Sequence, residues 1–213
     1  MLKSRVLVWS ALAVIALATG IATYLLKREV PEPEAPPPEP IAKAVIPARL
    51  PDIMLNDRDN NPRALTEWNG QPLVINFWAT WCAPCRREMP MLNQLAGDLK
   101  PKGVEVIGIA IDFREDVLKY LKETPIDYTV LIGEQAGLDA ARAFGMETVG
   151  LPFTAFTDKR GRIATIHVGE LHRNQADVIL AAVEAVDAGS LSMVAARQQM
   201  KAELAKIAVD RPE

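Results

Sequence analysis

Two cysteines, Cys82 and Cys85, are the only ones in this chain of 213 residues, and they lie within the stretch Trp81-Cys82-Ala83-Pro84-Cys85-Arg86-Arg87-Glu88. Three chemistries compete for such a pair: a metal grip, a structural staple and a reactive dithiol. A zinc site needs four ligands, and the remaining candidates, His167 and His172, lie far along the chain at a spacing that fits no zinc motif. A staple across two residues closes so small a loop that it barely constrains the unfolded chain. A C-x-x-C between a buried strand and a helix, by contrast, sets the first thiol beside unpaired backbone N–H groups and the positive end of the helix dipole. That setting favours thiolate over thiol. Thiolate is the form that attacks a disulfide, and the second cysteine, one turn on, can then displace the substrate sulfur from the mixed disulfide.

The elements that must position this pair follow from the alternation of short apolar runs with helical stretches, which predicts an α/β domain. Leu73 to Trp78 reads as a buried strand, with a helix starting at the cysteines. Asp52 to Leu55 and Arg63 to Leu65 read as extended pieces flanking a turn-rich tip. Further strands are expected at Val104 to Ile111 and Thr129 to Ile132, with helices at Glu115 to Glu123 and Leu138 to Phe144. A hairpin joins Phe153 to Thr157 with Arg162 to Val168, and Asn174 is the expected cap of a helix ending at Ala188. Residues 191–208 predict one more helix, either packed on the domain or a solvated tail, with a partner or dimer surface as the alternative. At about 100° per residue from Cys85, the residues Leu92, Leu95, Ala96 and Leu99 share one apolar face and Glu88 falls between Leu95 and Leu99. Arg86, Arg87, Asn93 and Gln94 lie outside that face. A carboxylate so placed is expected to be partly desolvated and close to the Cys85 sulfur. Pro90, inside the same helix, predicts a kink.

The N-terminal part differs in character. Residues 6–26 are apolar and uncharged, about 31 Å of helix, enough for one membrane span. A cleaved signal peptide is the alternative, since Ala16-Leu17-Ala18 resembles a small-residue cleavage site. Residues 1–5 are then expected in the cytoplasm, and residues 27–49, with PEPEAPPPEP at 31–40, read as an extended proline- and glutamate-rich spacer. Net charge is −3, and no concentrated basic surface is indicated, so nucleic acid is excluded as an expected partner. The globular domain is expected at residues 50–188, followed by a C-terminal helix and tail at 189–213.

The stretch NFWATWCAPCRREMP, with LPDIMLNDRDNNPRALTEWNGQPL before it and VGLPFTAFTDKRGRI after it, resembles the TlpA-like thiol-disulfide oxidoreductases. These are membrane-anchored members of the thioredoxin superfamily, related to those serving cytochrome c maturation. The resemblance implies a thioredoxin-like fold with an N-terminal β-hairpin extension and a strand-helix insertion. It implies Cys82 as nucleophile, Cys85 as resolving cysteine and Pro152 as a cis-proline facing them. Trp81, Ala83, Pro84, Leu151 and Pro152 would then face the substrate, and Glu88 would handle protons. No metal or other cofactor is implied beyond the redox-active Cys82–Cys85 disulfide. The implied setting is the outer side of a bacterial cytoplasmic membrane. Exported protein disulfides, such as those of apocytochrome c or copper-site assembly proteins, are the implied substrates, and a membrane thiol-reducing transporter is the implied electron donor. Where ordinary thioredoxins carry a buried aspartate, this chain has Asn76, which exchanges no proton at neutral pH.

Two rival readings attach to the same superfold. A copper chaperone uses two cysteines and a distant histidine, and His167 lies 85 residues after Cys82 (167 minus 82). Such sites, however, separate their cysteines by three residues. A thiol peroxidase carries its cysteine in a P-x-x-x-T-x-x-C setting, whereas FWATW precedes Cys82 here.

Overall fold

The computed structural model describes residues 46–209. The expected membrane span at 6–26 and most of the spacer lie outside the described residues. Among the described residues no helix is long and apolar enough to cross a membrane.

The strand β3 (Leu73–Trp78) is buried along its whole length, as an apolar run enclosed on both faces requires. It pairs in parallel with β4 (Glu105–Ala110), Phe77 opposite Ile109, and antiparallel with β6 (Phe153–Thr157), Phe77 opposite Phe153. With β1 (Met54–Asp57), β2 (Pro62–Ala64), β5 (Thr129–Ile132) and β7 (Ile163–Val168), the sheet order is β2-β1-β5-β4-β3-β6-β7. The helices are α1 (Ala83–Leu99), α2 (Arg114–Glu123), α3 (Gln135–Ala143), α4 (Arg173–Asp187) and α5 (Met193–Val209). This is a thioredoxin-like arrangement in which the β1–β2 hairpin is the N-terminal extension and β5–α3 the insertion. The inserted strand lies between the hairpin and the central strands.

Alternation along β3 divides the core in two. Val74 and Trp78 pack with Cys85, Met89, Leu92 and Ile179 on one face. Ile75 and Phe77 pack with Ile107, Phe144 and Phe153 on the other. On that second face the Phe77 ring stacks on Phe153 at 4.2 Å and meets Phe144 edge-on at 5.2 Å.

Several boundaries differ from expectation. The hairpin strands run to Asp57 and begin at Pro62, because Asp57 Oδ1 accepts from the backbone N–H groups of Asp59 and Asn61 and so confines the turn to four residues, 58–61. Leu65 belongs to a short 3-10 turn, Leu65–Trp68, rather than to the second strand. Helix α3 starts three residues earlier than the apolar pattern indicates, at Gln135. The cap of α4 is His172, extended at φ −105° and ψ 154°, and Gln175 reaches back to accept from its N–H at 3.0 Å. Asn174 lies inside the first turn instead. Helix α1 runs uninterrupted through Pro90, which is exposed, so Cys85, Met89 and Leu92 share one packed face on either side of it.

Helix α5 packs on the domain through Ala196 and Met200, both buried. Burying a methionine of this size contributes about 1.5–3 kcal/mol. Its Arg197 donates to the carbonyls of Ile163 and Ala164, where the β6–β7 register shifts and the edge strand would otherwise leave acceptors open.

Candidate active site

At the carboxyl end of β3 the chain turns through Ala79-Thr80-Trp81 and enters α1 with Cys82 as its cap residue and Pro84 in the first turn. Asp112, just past β4, fastens this turn. Its Oδ2 accepts from Thr80 N–H at 2.9 Å and from Thr80 Oγ1 at 2.5 Å, and its Oδ1 accepts from Phe113 N–H at 2.8 Å. Sequence reasoning missed Asp112. Its only signal was an acid ending an apolar strand.

Cys82 and Cys85 form a disulfide with their Cα atoms 5.3 Å apart. Cys82 is 5% exposed and Cys85 fully buried, so an incoming sulfur reaches the first cysteine and not the second. The Cys85 backbone N–H points at Cys82 Sγ, 3.3 Å away. This is the free donor of a helix first turn that lowers the cost of negative charge on that sulfur. The Leu151–Pro152 bond is cis, as the resemblance implies. Pro152 precedes Phe153, the partner of Phe77, which places it at the end of the sheet from which the cysteine turn emerges. Its carbonyl accepts from Gly169 N–H at 2.9 Å. Trp81, next to Cys82, is largely exposed, as are Phe113 and Val168 past or at the ends of β4 and β7. Ala83 is exposed, and Pro84 and Leu151 are half-buried.

Glu88, one turn after Cys85, is 1% exposed. Its Oε1 accepts from Asn76 Nδ2 at 2.7 Å, and its Oε2 accepts from Leu171 N–H at 2.6 Å. Burial pushes its carboxyl up to about 7, and the charge of Glu170 adds to the rise against the two hydrogen bonds, which favour the ionised form. Arg87, on the solvent side of α1, pairs with Glu170 at 2.5 Å and so does not reach Glu88. The inward placement read from the helix angles therefore holds. Asn76 is the residue the sequence singles out here, whereas Thr154, bonded to Asn76, and Leu171 reach the site from distant segments that carry no local signal.

Among the described residues no cluster of three or more His, Cys, Asp or Glu side chains is placed to hold a metal ion. His167, the histidine of the copper reading, sits on β7 opposite Thr154 with its Nε2 3.4 Å from the Glu170 carbonyl.

The geometry has counterparts in known proteins. The AhpC/TSA family profile matches residues 46–166, a span holding both cysteines, Glu88 and Pro152. Thiol-disulfide oxidoreductase ResA of Geobacillus thermodenitrificans is 31% identical over 122 residues, covering 57% of this chain and 68% of that protein. ResA of Bacillus cereus is 31% identical over 135 residues, covering 62% of this chain and 75% of its own length. Among solved structures, a thiol:disulfide interchange protein DsbE from Chlorobium tepidum aligns with a TM-score of 0.58 at 29% identity, over 63% of this chain and 95% of the other. A secreted thiol-disulfide isomerase from Corynebacterium glutamicum aligns with a TM-score of 0.57 at 28% identity, over 65% and 85%.

Proposed function

We propose, from the premise that this chain belongs to the AhpC/TSA family and to the thiol-disulfide oxidoreductases, that it reduces disulfides of exported proteins from a tether in the bacterial cytoplasmic membrane. The observation that carries the reading is the disulfide at the start of α1, with Cys82 toward solvent and Cys85 buried one turn from a carboxyl that holds its proton near neutrality. The uncharged run at 6–26 and the proline-rich spacer support the tether.

In the reduced protein, Cys82 thiolate attacks one sulfur of the substrate disulfide. A Cys82–substrate bond forms, the substrate S–S bond breaks, and the departing sulfur leaves as a thiolate. Glu88 carboxylate then takes the proton of Cys85. The electron pair left on the Cys85 sulfur forms the Cys82–Cys85 bond, and the second substrate thiolate departs. Two electrons have passed to the substrate. They must be restored by a donor dithiol, for which a membrane thiol transporter with access to cytosolic reductant is the fitting class. Pro152 and Leu151 flank the substrate strand, and Trp81, Ala83 and Pro84 offer the docking rim. Apocytochrome c and copper-site assembly proteins are substrates of the right kind, because each must present reduced cysteines in an oxidising compartment.

The test is trapping. A Cys85→Ala form of the full chain, expressed in its own host, is expected to accumulate disulfide-linked to exported cysteine-bearing proteins through Cys82. Recovery of that form with Cys82 free, under conditions in which the unaltered chain turns over, overturns the reading.

A further inference from the structure

Among the described residues Glu88 hydrogen-bonds only to donors. Asn76 Nδ2 and Leu171 N–H each point a hydrogen at one of its oxygens. Both bonds suit a carboxylate, but a protonated Glu88 must aim its own O–H at an acceptor, and neither neighbour offers one as arranged. Asn76 carries one on its other side. Its Oδ1 is buried and has no hydrogen-bond partner among the described residues. The two ends of a side-chain amide are nearly the same size, and the torsion that exchanges them is broadly two-fold.

A half-turn brings Oδ1 to the position of Nδ2, between Glu88 Oε1 and Thr154 Oγ1, which now accepts from Nδ2 at 3.0 Å. The Thr154 hydroxyl suits either arrangement, because it accepts from an N–H or donates to a carbonyl. At the far end of the amide no hydrogen bond has to break, but the NH₂ group that arrives there gives up its bonds to Glu88 and Thr154, a loss that the new bond from protonated Glu88 must outweigh. An aspartate at this position would have no such freedom, since it would set a second negative charge beside Glu88.

We propose that Asn76 is a two-way amide and a positioning residue for proton transfer, donating to Glu88 through Nδ2 when the carboxyl is ionised and accepting from it through Oδ1 when it is protonated. The proposal rests on the reading of Glu88 as the group that receives the Cys85 proton. In that step the proton passes from Cys85 Sγ to Glu88 and the electron pair stays on sulfur to form the new S–S bond. Asn76 gains and loses nothing, but its turn lets each state of Glu88 be fully hydrogen-bonded. A fixed donor would hold the carboxylate and oppose the arriving proton.

The groups facing Glu88 include His167, on β7 opposite Thr154 with its Nε2 3.4 Å from the Glu170 carbonyl, and an imidazole contributes nothing to a carboxylic C=O band, so an infrared signal separates it from Glu88. Glu170, from the β7–α4 connection, is held by Arg87. Tyr128, before β5, has its phenol pushed well above its ordinary range by burial, with the Glu88 charge adding to the shift, so it stays neutral between pH 5 and 9. Cys85, on the same helix as Glu88, is locked in the disulfide when the protein is oxidised.

The experiment titrates the oxidised full chain, solubilised in detergent, and reads two signals. The first is the infrared carboxylic C=O band that Glu88→Gln removes. The second is the Asn76 side-chain NH₂ pair in ¹⁵N-resolved NMR, with its contacts to the Thr154 methyl. The expected result is a shared midpoint, with the NH₂–Thr154 contacts present above it and lost below it. A Glu88 band that titrates while the Asn76 pair keeps its contacts overturns the two-way amide and leaves the Glu88 reading standing. Absence of any Glu88 band across the range overturns both. In kinetics, Asn76→Leu is expected to slow the resolving step roughly tenfold, a fraction of the 10²–10⁴ that general acid–base catalysis supplies, with the first attack by Cys82 unchanged. Equal slowing of both steps would mark Asn76 as merely structural. Should Asn76→Leu fail to fold, the spectroscopic titration of the unaltered chain decides alone.

Discussion

Two carboxylates are buried against the same strand, Asp158 just past the far end of β6 and Glu88 beside Thr154 near its beginning, and their surroundings are opposite in kind. Asp158 accepts from the N–H groups of Arg160 and Arg162 and pairs with the Arg162 guanidinium at 2.6 Å. Among the described residues Glu88 forms no ion pair and is held by one amide and one backbone N–H. A buried acid given a cation and a closed set of donors fixes a turn. A buried acid given neutral donors keeps a proton within reach at neutral pH. One chain thus gives the same functional group a cation at one end of a strand and neutral donors at the other.

The largest effect expected from breaking this contrast is at Asp158. Asp158→Ala leaves Arg162 without its partner and is expected to cost about 3 kcal/mol, the lower end of the range for broken buried pairs because Arg162 is partly exposed. Denaturant unfolding measures it, and disulfide reduction per folded molecule should not change. A loss of activity without a loss of stability would reverse the assignment.

The contrast also predicts a slope of stability with pH. Glu88 holds its proton more tightly folded, at about 7, than unfolded, at 4.5. Its contribution is fully present below pH 4.5 and is lost as pH rises through about 7, a decline on the order of 3 kcal/mol in the oxidised protein. Unfolding of parent and Glu88→Gln across that window checks it. The variant is expected to lack this decline, and parallel curves would contradict the assignment. For turnover, Glu88→Gln is expected to lower the rate of the resolving step about 10²-fold, near 2.7 kcal/mol in barrier, while sparing the first attack. Single-turnover kinetics with a model protein disulfide separates the two steps. The smallest effect is expected at the rim. Trp81→Ala should raise KM about fivefold with kcat unchanged, since an exposed docking residue contributes roughly 1 kcal/mol of binding shared by ground and transition states.

How much of this was legible in the sequence depends on the range over which each contact acts. The cysteine pair after a buried strand and the inward turn of Glu88 are local, fixed by period and spacing, and both are where the residues indicate. The partners of Glu88 are not local. Thr154 is 78 residues from Asn76, and Leu171 is 83 from Glu88. Asn76 and Thr154 meet because β3 pairs with β6 in one particular register, and Leu171 arrives from the connection after β7, which no single segment announces. The cap of α4 fails for the same reason. Asn174 has the better local propensity, but the bond from Leu171 N–H to Glu88 ties the preceding chain in place and makes His172 the last extended residue. Asp112 carries no local signal beyond a charge after an apolar strand, and its role appears only when Thr80 arrives from another element.

The short connection from Gly169 to Leu171 carries one more consequence. Gly169 N–H holds the carbonyl of Pro152, while Leu171 N–H holds the carboxylate of Glu88. One length of backbone is therefore bonded both to the cis-proline and to the buried carboxyl. A bond that prefers the ionised carboxylate weakens when the proton arrives. Thermodynamic reciprocity then requires that anything that loosens the Leu171 bond by drawing the connection toward Pro152 alters the proton affinity of Glu88 by the same factor. If Pro152 meets the substrate strand as proposed, arrival of a partner chain and uptake of a proton are two handles on one lever.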